Sequence, residues 1–142
     1  MNAKMGTPVV PISWGELIDK ITILEIKDLK IDSITANKNI RKELKHLLDI
    51  ANLNNMPENI KSLKTELKNV NLRLWDVEDS IREKELAGEF DKSFIELARS
   101  VYRHNDVRAK TKQSINLILQ SELVEEKSYK DFQLQGNDME KK

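Results

Sequence analysis

Seven apolar residues, Ile60, Leu63, Leu67, Val70, Leu74, Val77 and Ile81, recur at alternating spacings of three and four. This is the a/d pattern of a helix packed lengthwise on another helix. The next segment opens in the same way, with Phe94, Leu97, Ala98 and Val101. Its inward positions then become Asn105, Arg108 and Lys112. Either a partner helix runs past the end of the core, or the core holds a polar site there.

The punctuation of the chain divides it around this seam. Residues 1–11, with Gly6, Pro8 and Pro11, read as an extended N-terminal arm. Ser13 is placed to cap a first helix, Trp14 to Ile31, with Glu16 reaching back to complete a capping box. Leu17, Ile18, Ile21, Ile23, Leu24, Ile26, Leu29 and Ile31 cover more than one face of that helix, which makes it central. It should touch two neighbours, or one neighbour and a second subunit. Ser33 and Thr35 offer caps for a second helix through Ile40, Leu44, Leu47 and Ala51. Residues 52–57 are a break, and Pro57 suits the opening of the seam helix, which runs to Ala87 with Gly88 as its C-cap. Asp91 caps the fourth helix, and Phe90 and Ile95 are spaced as a hydrophobic staple. A short helix with Val124, Tyr129 and Phe132 follows, and residues 133–142 form a polar, disordered tail.

The expectation is therefore an all-α fold. A single helical domain over residues 12–132 forms a bundle of three to four helices, dominated by a long antiparallel hairpin with a coiled-coil-like seam. Folding the hairpin about Glu89 places Asp79 near Arg99, Trp75 near Arg103, Asn71 near Val107 and Glu66 near Lys112.

Charge and residue usage narrow the function. Lysine plus arginine equal aspartate plus glutamate at 24 each, so the chain lacks the basic excess of a dedicated nucleic-acid binder. There is no cysteine, hence no disulfide and no thiolate nucleophile or ligand; His46 and His104 lie far apart. No metal, no cofactor and no catalytic residue is expected. No apolar run has the length of a signal segment or membrane span, which implies a cytoplasmic chain.

Three constellations carry polar chemistry. The basic stretch of the fourth helix contains Arg99, Arg103, Arg108 and Lys112 beside Asn105. Guanidinium forks suit phosphate or carboxylate, but the same residues can form ion pairs with Asp76, Asp79 and Glu66. On the third helix, Asn71 and Trp75 lie along one side with Arg82, where the indole could stack on a sugar or base or simply edge the core. Glu16 and Asp19 form an E-x-x-D pair of the kind that binds Mg²⁺ in all-α nucleotide pyrophosphohydrolases. Those enzymes need a second carboxylate cluster upstream, and none is present; capping accounts for Glu16 without metal. The candidate ligand-binding residues are thus Arg99, Arg103, Asn105, Arg108, Lys112, Asn71 and Trp75.

The strings ISWGELIDKITILEIK (12–27), LWDVEDSIR (74–82), FIELARSVYRHNDVRAK (94–110) and EEKSY (125–129) resemble a family of small bacterial proteins of unknown function. The resemblance spans Ile12 to about Phe132. Such domains accompany glycosyltransferases and surface-polysaccharide genes, so the resemblance implies a lipopolysaccharide-type setting and brings no catalytic residues. The function expected is a non-enzymatic cytoplasmic interaction or assembly module that forms a homodimer. The alternative is a binding domain or enzyme that takes an anionic sugar or nucleotide on the polar face of the fourth helix. A binding site would leave Arg99, Arg103, Asn105 or Arg108 unpaired and facing a cavity; an interaction module would pair them or spread them over a flat face.

Overall fold

The computed structural model describes residues 4–128 and 130. The described residues hold four α-helices, α1 (Trp14–Lys30), α2 (Ile34–Ala51), α3 (Glu58–Ala87) and α4 (Lys92–Ile118), and a short 3₁₀ turn, Leu53–Asn55. There is no strand among them. None of the helices is long and apolar enough to cross a membrane.

The boundaries follow from local chemistry. The Ser13 hydroxyl accepts the Glu16 N–H at 3.1 Å, the Ser33 hydroxyl accepts that of Ala36, and the Asp91 carboxylate accepts that of Phe94 at 3.0 Å. Asn52 ends α2 in the left-handed conformation, and Gly88, with φ of 68°, ends α3 in the same way. Lys84 braces the α3–α4 turn by pairing with Glu89 and Asp91. The hydrogen bonds it donates to those two carboxylates raise its pKa.

Three local expectations are corrected. The Glu16 side chain does not close a capping box on Ser13, because Lys112 attracts it instead. Phe90 and Ile95 stay exposed, and Phe90 sets its ring edge-on to Phe94 at 5.2 Å. Residues 121–128 form no helix: the Ser121 hydroxyl accepts the Trp14 N–H and donates to the Leu123 carbonyl, which turns the chain back over the start of α1. Tyr129, Phe132 and residues 133–142 lie outside the described residues.

Helix α1 packs on α2, α3 and α4, while α3 makes its most extensive contact with α4. The apolar girth of α1 is thus covered by three neighbours within the chain over most of its length, while Leu29 near its end stays exposed. Ile18, Ile60, Leu67 and Ile115 form one core cluster, and Leu17, Ile21 and Ala51 form a second toward α2. The seam of α3 is buried unevenly. Ile60, Leu67 and Val70 are buried, whereas Leu74, Val77 and Ile81 are only half-buried. The reason is length: at 1.5 Å per residue, α1 with its 17 residues reaches along little more than half of α3 with its 30.

The tightest approach lies where α1 begins. A Cβ on Gly15 would stand 2.5 Å from the Lys112 carbonyl oxygen and 3.0 Å from Asn116 Oδ1. The Gly15 N–H donates to that Asn116 oxygen at 2.6 Å. Only glycine lets the two backbones meet at this distance. Gly15→Ala must push α1 from α4 and should destabilise by about 1–3 kcal/mol. Leu67→Ala should cost about 2–5 kcal/mol and Leu74→Ala clearly less; denaturant melts of the three variants check this gradient.

Candidate functional site

The polar positions of α4 point inward, as its stripe requires, and meet the carboxylates of α1. Asp19, fully buried, is the centre. Arg108 grips it as a fork, with Nε donating to Oδ1 at 3.0 Å and Nη2 to Oδ2 at 2.6 Å. Asn71 Nδ2 of α3 donates to the same Oδ1 at 2.9 Å and to the Thr22 hydroxyl at 2.9 Å. Thr22 in turn donates to the Asp19 backbone carbonyl. One carboxylate therefore ties three helices together. Hydrogen bonding to Asp19 raises the Arg108 pKa against the effect of burial, so the guanidinium is a permanent cation.

One turn further along α4, Lys112 has only 8% of its side chain exposed and is held by Glu16 at 2.8 Å and by Glu125 at 2.6 Å. Its nitrogen also stands 4.0 Å from Asp19. Burial alone would lower its pKa, but hydrogen bonds to Glu125 and Glu16 and the charge of Asp19 leave it raised. Glu125, which belongs to the strap of residues 121–128, has its pKa lowered by Lys112 and then by Lys127.

Two clefts open on either side of Arg108. The larger, about 740 Å³, is lined by Glu16, Tyr102, Asn105, Arg108, Lys112 and Glu125, with Lys127 and Lys130 also at its edge. The smaller, about 410 Å³, has Ile23, Ile26 and Leu74 with Trp75, Asp79 and Asn71, and shares Asn105 and Arg108 with the first. The expected ligand-binding residues are therefore divided. Asn105, Arg108 and Lys112 face the larger cleft, and Asn71 and Trp75 the smaller. Arg99 lies on the exposed surface, paired within its own helix to Glu96, and Arg103 is exposed without an ion pair among the described residues.

The partners differ from those expected for α4. Asp76 pairs with Lys30 of α1, and Glu66 is exposed and does not reach Lys112. Arg108 pairs within the chain, with Asp19. Glu16 and Asp19, the E-x-x-D pair, are turned toward the two cations, and no group of three or more His, Asp or Glu side chains among the described residues is arranged to hold a metal. Asp19 is the main residue the sequence reading undervalued. Its signal was a lone carboxylate between Ile18 and Ile21 on a helix apolar over most of its girth, in a chain whose α4 offers unpaired cations to an interior.

A sequence model of a family of unknown function, DUF6165, matches residues 9–134. No curated protein and no solved structure matches the chain.

Removing one partner of the central pair strands the other. Arg108→Leu should destabilise by about 3–5 kcal/mol, because Asp19 has no route to water. Asp19→Leu should cost less, since Arg108 can turn into either cleft. The double variant should recover much of the loss, and a double-mutant cycle in urea measures the coupling.

The strap has its own pH window. Because the folded pKa of Glu125 is lowered, its pairing contributes fully above its ordinary 4.5 and is lost as pH falls through the lowered value. Because that of Lys112 is raised, its pairing contributes fully below its ordinary 10.5 and is lost as pH rises through the raised value. The stability gap between wild type and Glu125→Gln should stay constant between those limits and shrink outside them, read by denaturant melts across pH.

Proposed function

We propose, for a chain that belongs to the DUF6165 family of unknown function, a non-enzymatic role as a helical interaction and assembly module. In this reading one domain over residues 12–132 forms a bundle dominated by an antiparallel α3–α4 hairpin with a coiled-coil-like seam, and it works in the cytoplasm as a homodimer. A bacterial surface-polysaccharide setting is the context we propose, on the sequence resemblance alone.

The observation that carries the reading is the occupation of α4's inward cations. Arg108 commits two nitrogens of its fork to Asp19, and Lys112 is held by Glu16 and Glu125. A site evolved to take an anion keeps such donors available to it; these are used to dock α4 on α1. The homodimer does not rest on the girth of α1, most of which α2, α3 and α4 cover. It rests on apolar side chains around the α3–α4 turn, where Leu86 is 90% and Phe90 59% exposed.

The second reading is binding, or turnover, of an anionic sugar or nucleotide in the larger cleft. The placement of Tyr102, Asn105, Lys127 and Lys130 around the partly exposed Arg108 favours it. Thermal melts with inorganic phosphate, nucleotides and sugar nucleotides separate the two. The module reading expects no change. A ligand bound at a hundred times its Kd adds about 2.7 kcal/mol, several degrees for a domain of this size. A saturable rise of that kind, lost in Lys112→Gln, would replace the module by the binding domain.

A further inference from the structure

Polar groups without partners collect at the smaller cleft. In the larger cleft Lys112, Glu16 and Glu125 answer one another. The smaller cleft, about 410 Å³, is lined from α1, α3 and α4 and falls within the roughly 300–1,000 Å³ of small-molecule sites. At its edge Asp79 makes no ion pair or hydrogen bond among the described residues. The indole N–H of Trp75 makes none either, although that side chain is half-buried. An indole N–H in such a place ordinarily finds an acceptor. Asn71 gives both amide protons to Asp19 and Thr22, so its oxygen is left to accept. Asn105 accepts from Arg108 Nη1 at a long 3.5 Å, and its own amide protons are unused.

The same cleft has an apolar part. Ile26 is buried, and Ile23, Leu74 and Trp75 are half-buried beside the polar groups. Asn71, Trp75, Glu78 and Arg82 follow at spacings of 4, 3 and 4, which puts them along one side of α3. The charges nearly cancel. Arg82 pairs with Glu78 and Arg108 with Asp19, which leaves Asp79. That remaining negative charge disfavours an anion, and two guanidinium groups on the same space disfavour a cation.

We infer that the smaller cleft is a binding site for an uncharged sugar ring. A pyranose has a face of C–H groups, which packs on an aromatic ring and on aliphatic side chains. It also has a rim of hydroxyls, each of which both donates and accepts. That rim meets what the cleft leaves unused: acceptors at Asp79 and Asn71, donors at the Trp75 indole and at Asn105. A nucleobase presents a fixed order of donors and acceptors along one edge and satisfies such a mixed set less completely. A phosphorylated ligand would bring its charge against Asp79. The site goes beyond the assembly reading and does not depend on it, since neither Lys112 nor Glu125 lines this cleft.

Nitrogen–proton NMR spectra of the full chain test it. The two tryptophans, Trp14 and Trp75, give two indole N–H signals, and Trp75→Phe assigns them. The probes are the methyl glycosides of glucose, galactose, mannose and N-acetylglucosamine, each up to about 50 mM, which reaches the weak binding expected of so small a ligand. At least one should move the Trp75 signal saturably and leave that of Trp14 in place. Asp79→Asn changes an exposed side chain and should fold as the wild type does; it should weaken that glycoside by about tenfold, the loss of a charged hydrogen bond. The site is overturned if none of the four glycosides moves the Trp75 signal, or if Asp79→Asn binds as the wild type does. It is also overturned if adenosine or inorganic phosphate moves that signal at lower concentration than every glycoside. The assembly reading is judged separately, by the melts with phosphate, nucleotides and sugar nucleotides and by their response to Lys112→Gln.

Discussion

A single buried carboxylate organises the domain. Asp19 sits fully buried in the first half of the most apolar helix, where an unpaired charge would cost several kcal/mol. The cost is met only if α4 delivers the Arg108 fork and α3 delivers Asn71 to the same oxygen pair. Both deliveries depend on register. A slide of either helix by one turn, about 5.4 Å, would leave the carboxylate unsatisfied. The apolar clusters on either side would tolerate small slides far better. The pair therefore defines how the helices are arranged more than how strongly they adhere.

Around this centre the contacts divide by accessibility. The Gly15 approach brings the start of α1 onto the Lys112 and Asn116 turn of α4, and the Asn116 amide oxygen takes the Gly15 N–H that an α-helix leaves free at its first turn. Lys112 is then buried deeply enough to need two carboxylates, one from α1 and one from the strap after α4. By contrast, the pairs on the outer surface, such as Lys45–Asp49 or Arg82–Glu78, join exposed side chains one turn apart and add little. The clefts on either side of Arg108 exist because polar side chains, unlike Leu or Ile, cannot fill the space between α1, α3 and α4 to core density.

The same division separates the two parts of the long helices. The inner part of α3 and α4 packs on α1, and its buried charges, Asp19 and Lys112, are paired inside the chain. The outer part is a two-helix extension whose apolar seam is half open and whose charges are separated by helix. The first part holds the second in place. Ligand chemistry at Arg108 and Lys112 would have to compete with interactions on which the docking of α4 on α1 depends.

Much of the helical architecture was legible from residues alone. The seam from Ile60 to Ile81, the caps at Ser13, Ser33 and Asp91 and the left-handed Gly88 depend on spacing and on neighbours within one turn, which is information a sequence contains. The inward turn of Asn105, Arg108 and Lys112 was legible for the same reason, since it continues a helical stripe. Which carboxylates would answer those cations was not. Arg108 and Asp19 are 89 residues apart, and Lys112 and Glu16 are 96 apart. The hairpin arithmetic pointed to acids on α3 because it could see only the helix joined to α4 by a short turn. Helix α1 reaches the same place through the Gly15 approach, a fact of three-dimensional packing, and its carboxylates win because Asp19 is buried and finds its counter-ions only on α4, in Arg108 and in Lys112 at 4.0 Å, whereas Asp79 and Glu66 are exposed and already solvated. Local spacing determines which side chains face inward; the tertiary structure decides which opposite charge is waiting there, because burial, not sequence proximity, sets the cost of leaving a charge alone.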